Sequence, residues 1–600
     1  MHPAIFARSI LAAALCLAAA AEPRREVAVS PDELVQVTVC IDGERITYSA
    51  VLGGKPAVLE SPLALDGWPA GKFISSSRKL VLGTWRPLYG ERAVIPDNFL
   101  ELTLSFDRLT IVVRVYEEGF AFRYRLEGKG SFEFAGEATG FRFPDGSYAW
   151  QQHGAEGEYE RVPVKDLKPG CERPLTVELG GGNWAALAEA GQVDYPRMLL
   201  GPDGAGGLTP ALDGPVRGSL PFETPWRVLV LGRAPGDLME RNYLLLNLNP
   251  PPVGDYRWVK PGKVLREVTL STKGGKAAVD FAVKRGIDFI EYDAGWYGHE
   301  YDDSSDASQV SPDPKRIAAI PDHGGLDLHE VIRYARSNNI GVLLYVNRRA
   351  LERQRDLIFP LFRKWGVAGV KFGFVQVDGQ RWPRWLVESV RKAADHKLVV
   401  DIHDSFRPSG WQRTHPNLLT AEGVRGNEHM PTASHNATLP FTRAIAGAYD
   451  YTICWTTPRL KTTRAHQMAM SVVVYSPLQF LFWYDRPDQV EHAPELDFFY
   501  HLPVTWDETR SLAGAVGEHA VIARRSGQSW YLGAITNERS RTVELRMGML
   551  APGAPYTLKT WCDGDSKTSV VIREAAIKGG DPLTLGLAAS GGCAALIEPR

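Results

Sequence analysis

Acids, a histidine, a lysine and a tryptophan recur in this chain at one kind of place, the end of a short apolar run. Asp293 and Trp296 follow IDFIEY, Asn347 and Arg348 follow IGVLLYV, and Lys371 lies within VAGVKFGFV. His403 and Asp404 close KLVVDI, and Glu422 and Glu428 follow LLTA. Carboxylates transfer protons or hold a hard cation, while lysine, histidine and amide groups hold hydroxyls. An indole covers the apolar face of a pyranose, so the set as a whole suits chemistry on a sugar. One such acid alone would serve as well as a helix cap or an ion-pair partner. Several from separate runs argue for one shared site.

The elements that must bring them together are read from periodicity. GGKAAVDFAVKRG precedes IDFIEYDAGW, LDLHEVIRYARSNN precedes IGVLLYVN, ERQRDLIFPLFRKWG precedes VAGVKFGFV, and RWLVESVRKAADH precedes KLVVDIHD. Four successive helix-then-strand units with nearly continuous apolar strands predict parallel strands covered by helices. A doubly wound open sheet would fit the same alternation, but no Gly-rich phosphate loop follows a strand, and the span suits eight units. The expectation is a (β/α)8 TIM-type barrel over 256–509, with its active site at the C-terminal ends of the strands, where the acids lie. Before it, 22–255 reads as short alternating strands separated by Gly, Pro and Asp turns, such as LTLSF and IVVRVY, which predicts a large β-sandwich. Pro250-Pro251-Pro252 marks the connector. From 510 to 600 the runs AVIARR, SWYLGAIT and TVELRM predict a small all-β domain.

Bulk properties narrow the class. At 600 residues the chain exceeds what one core supports, and 44% hydrophobic with 23% charged residues is ordinary for a globular protein. Residues 1–21 place Arg8 before a short apolar run ending in Ala19-Ala20-Ala21, the layout of a cleavable export signal, so a periplasmic or extracellular location is expected. That run is too short for a membrane anchor, and Leu15 before Cys16 is bulky for a lipoprotein site. Cleavage would leave 67 basic against 70 acidic residues, so neither nucleic acid nor an anionic membrane is implied as partner. The five remaining cysteines have no metal-ligand spacing; Cys562 and Cys593 either pair or stay as thiols.

Longer motifs carry a resemblance. HDSFRPSGWQRTHPNLLTAEGVRGNEH at 403–429, LAEAGQVDYPRM at 187–198, TPWRVLVLG at 224–232, YDAGW at 292–296, GVKFGFV at 369–375, LPFTRAIAGAYDYT at 439–452 and SPLQ at 476–479 together resemble glycoside hydrolase family 97. The resemblance runs through nearly the whole mature chain. It implies an N-terminal β-super-sandwich, a central barrel, a C-terminal β domain and calcium-dependent hydrolysis of α-glucosides or α-galactosides. By the same resemblance Glu428 is the general acid, and Lys371 and His403 hold the sugar, beside Asp293 and Trp296 from the reading above. Glu422, Glu428 and Asp404 resemble the calcium-binding set, together with Glu189, which the N-terminal domain would send across to the barrel.

Retaining members of the family carry an aspartate nucleophile at the end of the fourth strand, where this chain has Gly373. Inverting members have glycine there and a glutamate after the strand-five histidine; here that residue is Asp404, one methylene shorter. A second glutamate after strand three is replaced by Arg348-Arg349, with Glu352 the nearest acid. The expected enzyme is therefore an inverting, exo-acting α-glycosidase of α-linked oligosaccharides or glycosides, with Glu428 as acid and Asp404 as base. A retaining α-galactosidase and a sugar-binding protein without hydrolysis are the alternatives.

Overall fold

The computed structural model describes residues 22–320 and 323–600, so the expected export signal, with Cys16, lies outside the described residues. No described helix is long and apolar enough to cross a membrane. The N-terminal part is two antiparallel sheets face to face. Four strands run from Arg24 to Pro62, and a ten-stranded sheet extends from Phe73–Val81 to Trp226–Gly232. Alternation explains the packing: in Val35–Asp42, Val35, Val37, Val39 and Ile41 are buried and join Leu102, Leu104, Ile111 and Val113 of the larger sheet in one core.

The central sheet has seven hydrogen-bonded parallel strands: Gly262–Glu267, Phe289–Tyr292, Gly341–Asn347, Gly369–Val375, Val399–Asp404, Leu418–Ala421 and, beside the first, Leu478–Leu481. The eighth strand expected of the barrel is not a regular one. Its place is taken by an irregular stretch, where Asp450 N donates to Ala421 O (3.1 Å) on one side and Trp483 N to Ile453 O (2.9 Å) on the other. Helices cover the outside with the caps their sequences provide. Ser271 Oγ accepts from Gly274 N at the start of Thr272–Arg285, and Asn347 accepts from Arg349 N at the start of Arg348–Trp365, which ends at Gly366 with φ 94°.

Strand pairing fixes what the barrel lumen contains. Tyr345 pairs with Lys371, Lys371 with Asp401, and Asn347 with Gly373. The period of two sends Lys371, Asp401 and His403 inward while Phe372 packs outward on Phe359. The C-terminal part is a six-stranded antiparallel sheet with a separate two-stranded antiparallel sheet, Arg541–Arg546 with Pro582–Leu587. It rests on the helix Arg464–Val473, which is buried from Ala465 onward. Gly533 permits that approach, since a Cβ there would lie 2.4 Å from Ala469 O. Cys562 and Cys593 are disulfide-bonded across neighbouring strands. A loop of the N-terminal part locks the three together: Tyr89 Oη donates to Pro416 O (2.7 Å), and Glu91 pairs with Arg524 (2.8 Å).

Candidate active site

Polar side chains converge at the C-terminal ends of the barrel strands. His403 is their centre. Its Nδ1 faces Glu422 Oε2 at 3.1 Å, and its Nε2 faces Asp450 at 2.9 Å and Asp401 at 3.4 Å. Burial disfavours the imidazolium, yet Glu422, Asp401 and Asp450 outweigh it and hold the ring well above its ordinary pKa. His403 is therefore a charged donor with both nitrogens engaged, and not a free base. Burial first, then the Asp450 charge, raises Asp401 in turn.

Lys371 is 2% exposed, and its Nζ lies 4.0 Å from the centre of the Trp483 ring. Burial opposes its charge, but Asp293, Glu291, Asp450 and Asp401 raise it above the ordinary lysine value, so the ammonium persists. Asp293 is held by Arg266 Nε (3.0 Å) and by Ala294 N (2.6 Å). Burial would raise Asp293, but Arg266 and Lys371 prevail and keep it ionised.

Asp404 projects from a left-handed backbone, φ 68°, which a non-glycine residue adopts only when its surroundings hold it there. Its Oδ2 accepts from Phe374 N, itself left-handed with φ 51°, and its own N donates to Glu422 Oε2 at 2.7 Å. Burial raises the Asp404 pKa, and Glu156 and Glu428 push the same way. Glu428 stands half-buried in the turn after the sixth strand. Oxygen or nitrogen atoms of His403, Glu422 and Glu428 lie within 4.8 Å of one another, as do those of Glu156, Asp404 and Glu422. Glu422 is thus the shared member, with Glu428 in one group and Asp404 in the other. Burial and the Glu156 and Glu428 charges raise Glu422 well above a usual carboxyl. Clustered hard oxygens of this kind fit a calcium ion.

Two expectations need correction. Glu189 is not among these carboxylates: it is 1% exposed inside the N-terminal domain, paired with Arg173 and with Arg227 (2.8 Å). The acid that this domain sends to the barrel is Glu156. Trp296 cannot cover a sugar, because it is fully buried against Tyr297, Phe362 and Trp365 with its Nε1 donating to Tyr345 O at 2.8 Å. Glu352, the acid nearest the missing strand-three glutamate, is tied to Arg348 and Arg381 on the helix surface. Asn347 is a buried cap.

Several residues at the site escaped the reading of strand ends. Glu291 and Asp401 lie two residues before Asp293 and His403, and an inward-facing period of two within the strands was their signal. Arg266, at the end of the first strand, also feels the Glu428 charge. Glu300 accepts from Tyr345 Oη (2.5 Å) and pairs with Arg316 (3.2 Å). Glu156 and Asp450 come from irregular segments with no periodic signal. A cavity of about 660 Å3 lies elsewhere, between Trp85, Tyr89, Tyr243, Tyr256 and Tyr475. Its acids Glu91 and Asp255 are paired with Arg524 and Arg257, so it offers no pair of free carboxylates.

Comparison with known proteins agrees with this geometry. Residues 28–251 match the family model described as glycosyl-hydrolase 97 N-terminal, 259–424 match glycoside hydrolase 97, and 505–598 match glycosyl-hydrolase 97 C-terminal, oligomerisation. A probable retaining alpha-galactosidase of Streptomyces bingchenggensis is 30% identical, over 92% of this chain and 88% of that one. A retaining alpha-galactosidase of Bacteroides thetaiotaomicron is 27% identical over 90% and 91%. Among solved structures, a family 97 enzyme from a Pseudoalteromonas strain in complex with acarbose superposes with a TM-score of 0.88 at 26% identity, covering 96% of this chain and 100% of that one. A beta-arabinopyranosidase, at 23% identity and a TM-score of 0.82, covers 95% and 100% and shows the same fold. This chain belongs to glycoside hydrolase family 97 and is a hydrolase of O-glycosyl bonds.

Proposed function

We propose that the enzyme is a calcium-dependent, exo-acting α-glycoside hydrolase of the α-glucosidase kind that inverts the anomeric centre. One observation carries the stereochemistry. Gly373 offers no nucleophile, and the volume a side chain would need there is filled: a Cβ would lie 2.0 Å from Tyr345 Oη and 2.1 Å from its ring.

Glu428 donates its proton to the glycosidic oxygen as the bond to the anomeric carbon breaks. Asp404 takes a proton from a water that attacks the same carbon from the opposite face, so one water is consumed and the two sugar products separate. Asp404 suits the base because its raised pKa increases its proton affinity while Phe374 N fixes the carboxylate. Lys371 presents its ammonium to sugar hydroxyls with Asp293 as an acceptor, and the imidazolium of His403, engaged on both nitrogens, holds Glu422 and Asp450 in place around them. Bound calcium, held by Glu422 with its neighbours, would supply a positive charge that anchors and polarises the sugar.

A retaining α-galactosidase is the second reading, favoured by the names of the two relatives above. Proton NMR of the first product from aryl α-glucoside and α-galactoside, with and without chelator, decides between them. Inversion with calcium dependence is expected. A product that keeps the substrate's anomeric configuration overturns the assignment of Asp404.

A further inference from the structure

Arg348 and Arg349 open the helix Arg348–Trp365 directly after the third barrel strand. The N-terminus of a helix is its positive end, so a cation there is disfavoured unless something offsets it. Arg348 is offset: it pairs with Glu352 one turn further on and lies over the Trp382 ring, 5.2 Å from its centre. Arg349 is not. Among the described residues no carboxylate comes within 4 Å of its guanidinium, which lies instead 5.2 Å from the centre of the Tyr301 ring. Its backbone is fixed, because Arg349 N donates to Asn347 Oδ1 at 3.0 Å.

Tyr301 is 46% exposed and meets Phe374, 43% exposed, edge to face at 5.1 Å. Both rings belong to the mouth of the active site. Phe374 N donates to Asp404 Oδ2, and the left-handed backbone of Phe374, φ 51°, turns its ring to solvent while Phe372 and Val375 stay buried. Tyr301 follows Glu300, which Tyr345 Oη (2.5 Å) and Arg316 (3.2 Å) hold in place. Burial raises the pKa of the Tyr301 phenol, the Glu300 and Asp404 charges add to that, and Arg349 and Arg316 oppose it. The ring thus stands in the field of both Asp404 and Arg349.

Exposure divides the site into two zones. Lys371, His403 and Asp293 are buried and form a closed floor, while Tyr301, Phe374 and Arg349 form an open rim. An exo-acting hydrolase takes the terminal sugar into the closed part, so the leaving portion of the substrate crosses the rim. Exposed rings offer stacking area there, and a guanidinium, charged at any pH the enzyme meets, pairs in a planar fork with an anionic oxygen group.

We infer that Arg349, with the rings of Tyr301 and Phe374, forms a leaving-group subsite for an anionic residue, so that the enzyme prefers α-glycosides whose leaving portion carries a carboxylate or a sulfate, as a hexuronic acid or a sulfated sugar does. This rests on the exo-acting reading above and is independent of its stereochemistry. Arg349 touches the leaving portion and takes no part in proton transfer.

The test compares kcat/KM for p-carboxyphenyl, p-sulfophenyl and p-carbamoylphenyl α-glycosides, in whichever of the α-glucosyl and α-galactosyl series the wild-type enzyme cleaves faster. Dividing variant by wild type on each substrate cancels the differences in leaving-group acidity. Arg349→Gln is expected to lower kcat/KM on the two anionic substrates at least about ten-fold more than on the neutral amide, chiefly through KM, and Arg349→Lys to recover part of the loss. The wild-type preference for the anions should shrink as salt rises from about 0.05 M to about 0.5 M. The Tm of Arg349→Gln should not fall, since a positive charge leaves the positive end of a helix. A selective loss on one anion alone supports the subsite and says which group it takes. Equal losses on all three substrates, or none, would overturn the inference while exo-hydrolysis stands, and proton NMR of the same reactions reads the anomeric course separately. If the wild type cleaves neither series, the exo-acting α-glycosidase reading falls and the subsite with it.

Discussion

The phenol of Tyr345 occupies the space that any side chain on Gly373 would need, with Oη 2.0 Å from the position of its Cβ. The two residues sit on adjacent strands, where Tyr345 pairs with Lys371 and Asn347 with Gly373, and Glu300 fixes the phenol through a 2.5 Å hydrogen bond. The missing nucleophile is therefore more than one substitution away. Gly373→Asp should not produce a retaining enzyme. It should cost about 1–3 kcal/mol through overpacking and leave product of inverted configuration at a reduced rate. Thermal unfolding and anomer-resolved NMR check both parts, and a retained-anomer product from this single variant would show that Tyr345 yields readily.

Asp404→Asn keeps the shape of the side chain and removes the base, so kcat should fall by about 10²–10⁴. Azide should not restore the rate by way of a retained-anomer glycosyl azide, because no glycosyl-enzyme forms. Glu428→Gln should behave differently, slowing substrates with poor leaving groups far more than activated aryl glycosides, which need little protonation. Equal losses on both substrate types would remove Glu428 from the role of acid.

How far the sequence discloses this site depends on what positions each residue. Lys371 lies within a regular apolar strand, His403 and Asp404 close another and Glu422 directly follows a third, and the period of those strands points them to one rim. Trp296 shows the limit of that rule. It follows its strand by four residues, on a turn that folds it back under Tyr345, and apolar area won over display. Glu189 lies on a strand paired throughout with Trp226–Gly232, so Arg227 faces it directly, a cross-strand pairing that no linear motif exposes. Glu156 is placed by Arg407 and Arg425 from 250 or more residues away, and Asp450 by an irregular stretch in the gap of the barrel.

Trp296 should accordingly behave as core. Trp296→Ala should destabilise by about 3–5 kcal/mol, and Trp296→Phe by less, with KM for a given glycoside unchanged in the folded fraction. Denaturant unfolding and steady-state kinetics on the Phe variant measure the two effects separately. A KM raised ten-fold at unaltered stability would restore Trp296 to the sugar.

The junction of barrel and C-terminal domain should be sensitive to acid through His466. The ring is fully buried, Nδ1 lies 3.0 Å from Gly591 O and Nε2 3.0 Å from Asn436 Nδ2, so the neutral form donates to one and accepts from the other. Burial pulls its pKa down to about 4. An unfolded histidine titrates near ~6.5, so between those values the unfolded chain binds the extra proton. Stability attributable to His466 is then fully present above about pH 6.5 and is lost as pH falls toward about 4, on the order of 3 kcal/mol across the window. His435, also brought down to about 4 by burial, should add a second proton of the same sign. Urea unfolding at pH 7, 5.5 and 4.5 should show the decline, and His466→Gln, which cannot take up the proton, should flatten its slope. Parallel slopes for wild type and variant would mean that the carboxylates of the active site, and not this junction, set the acid limit.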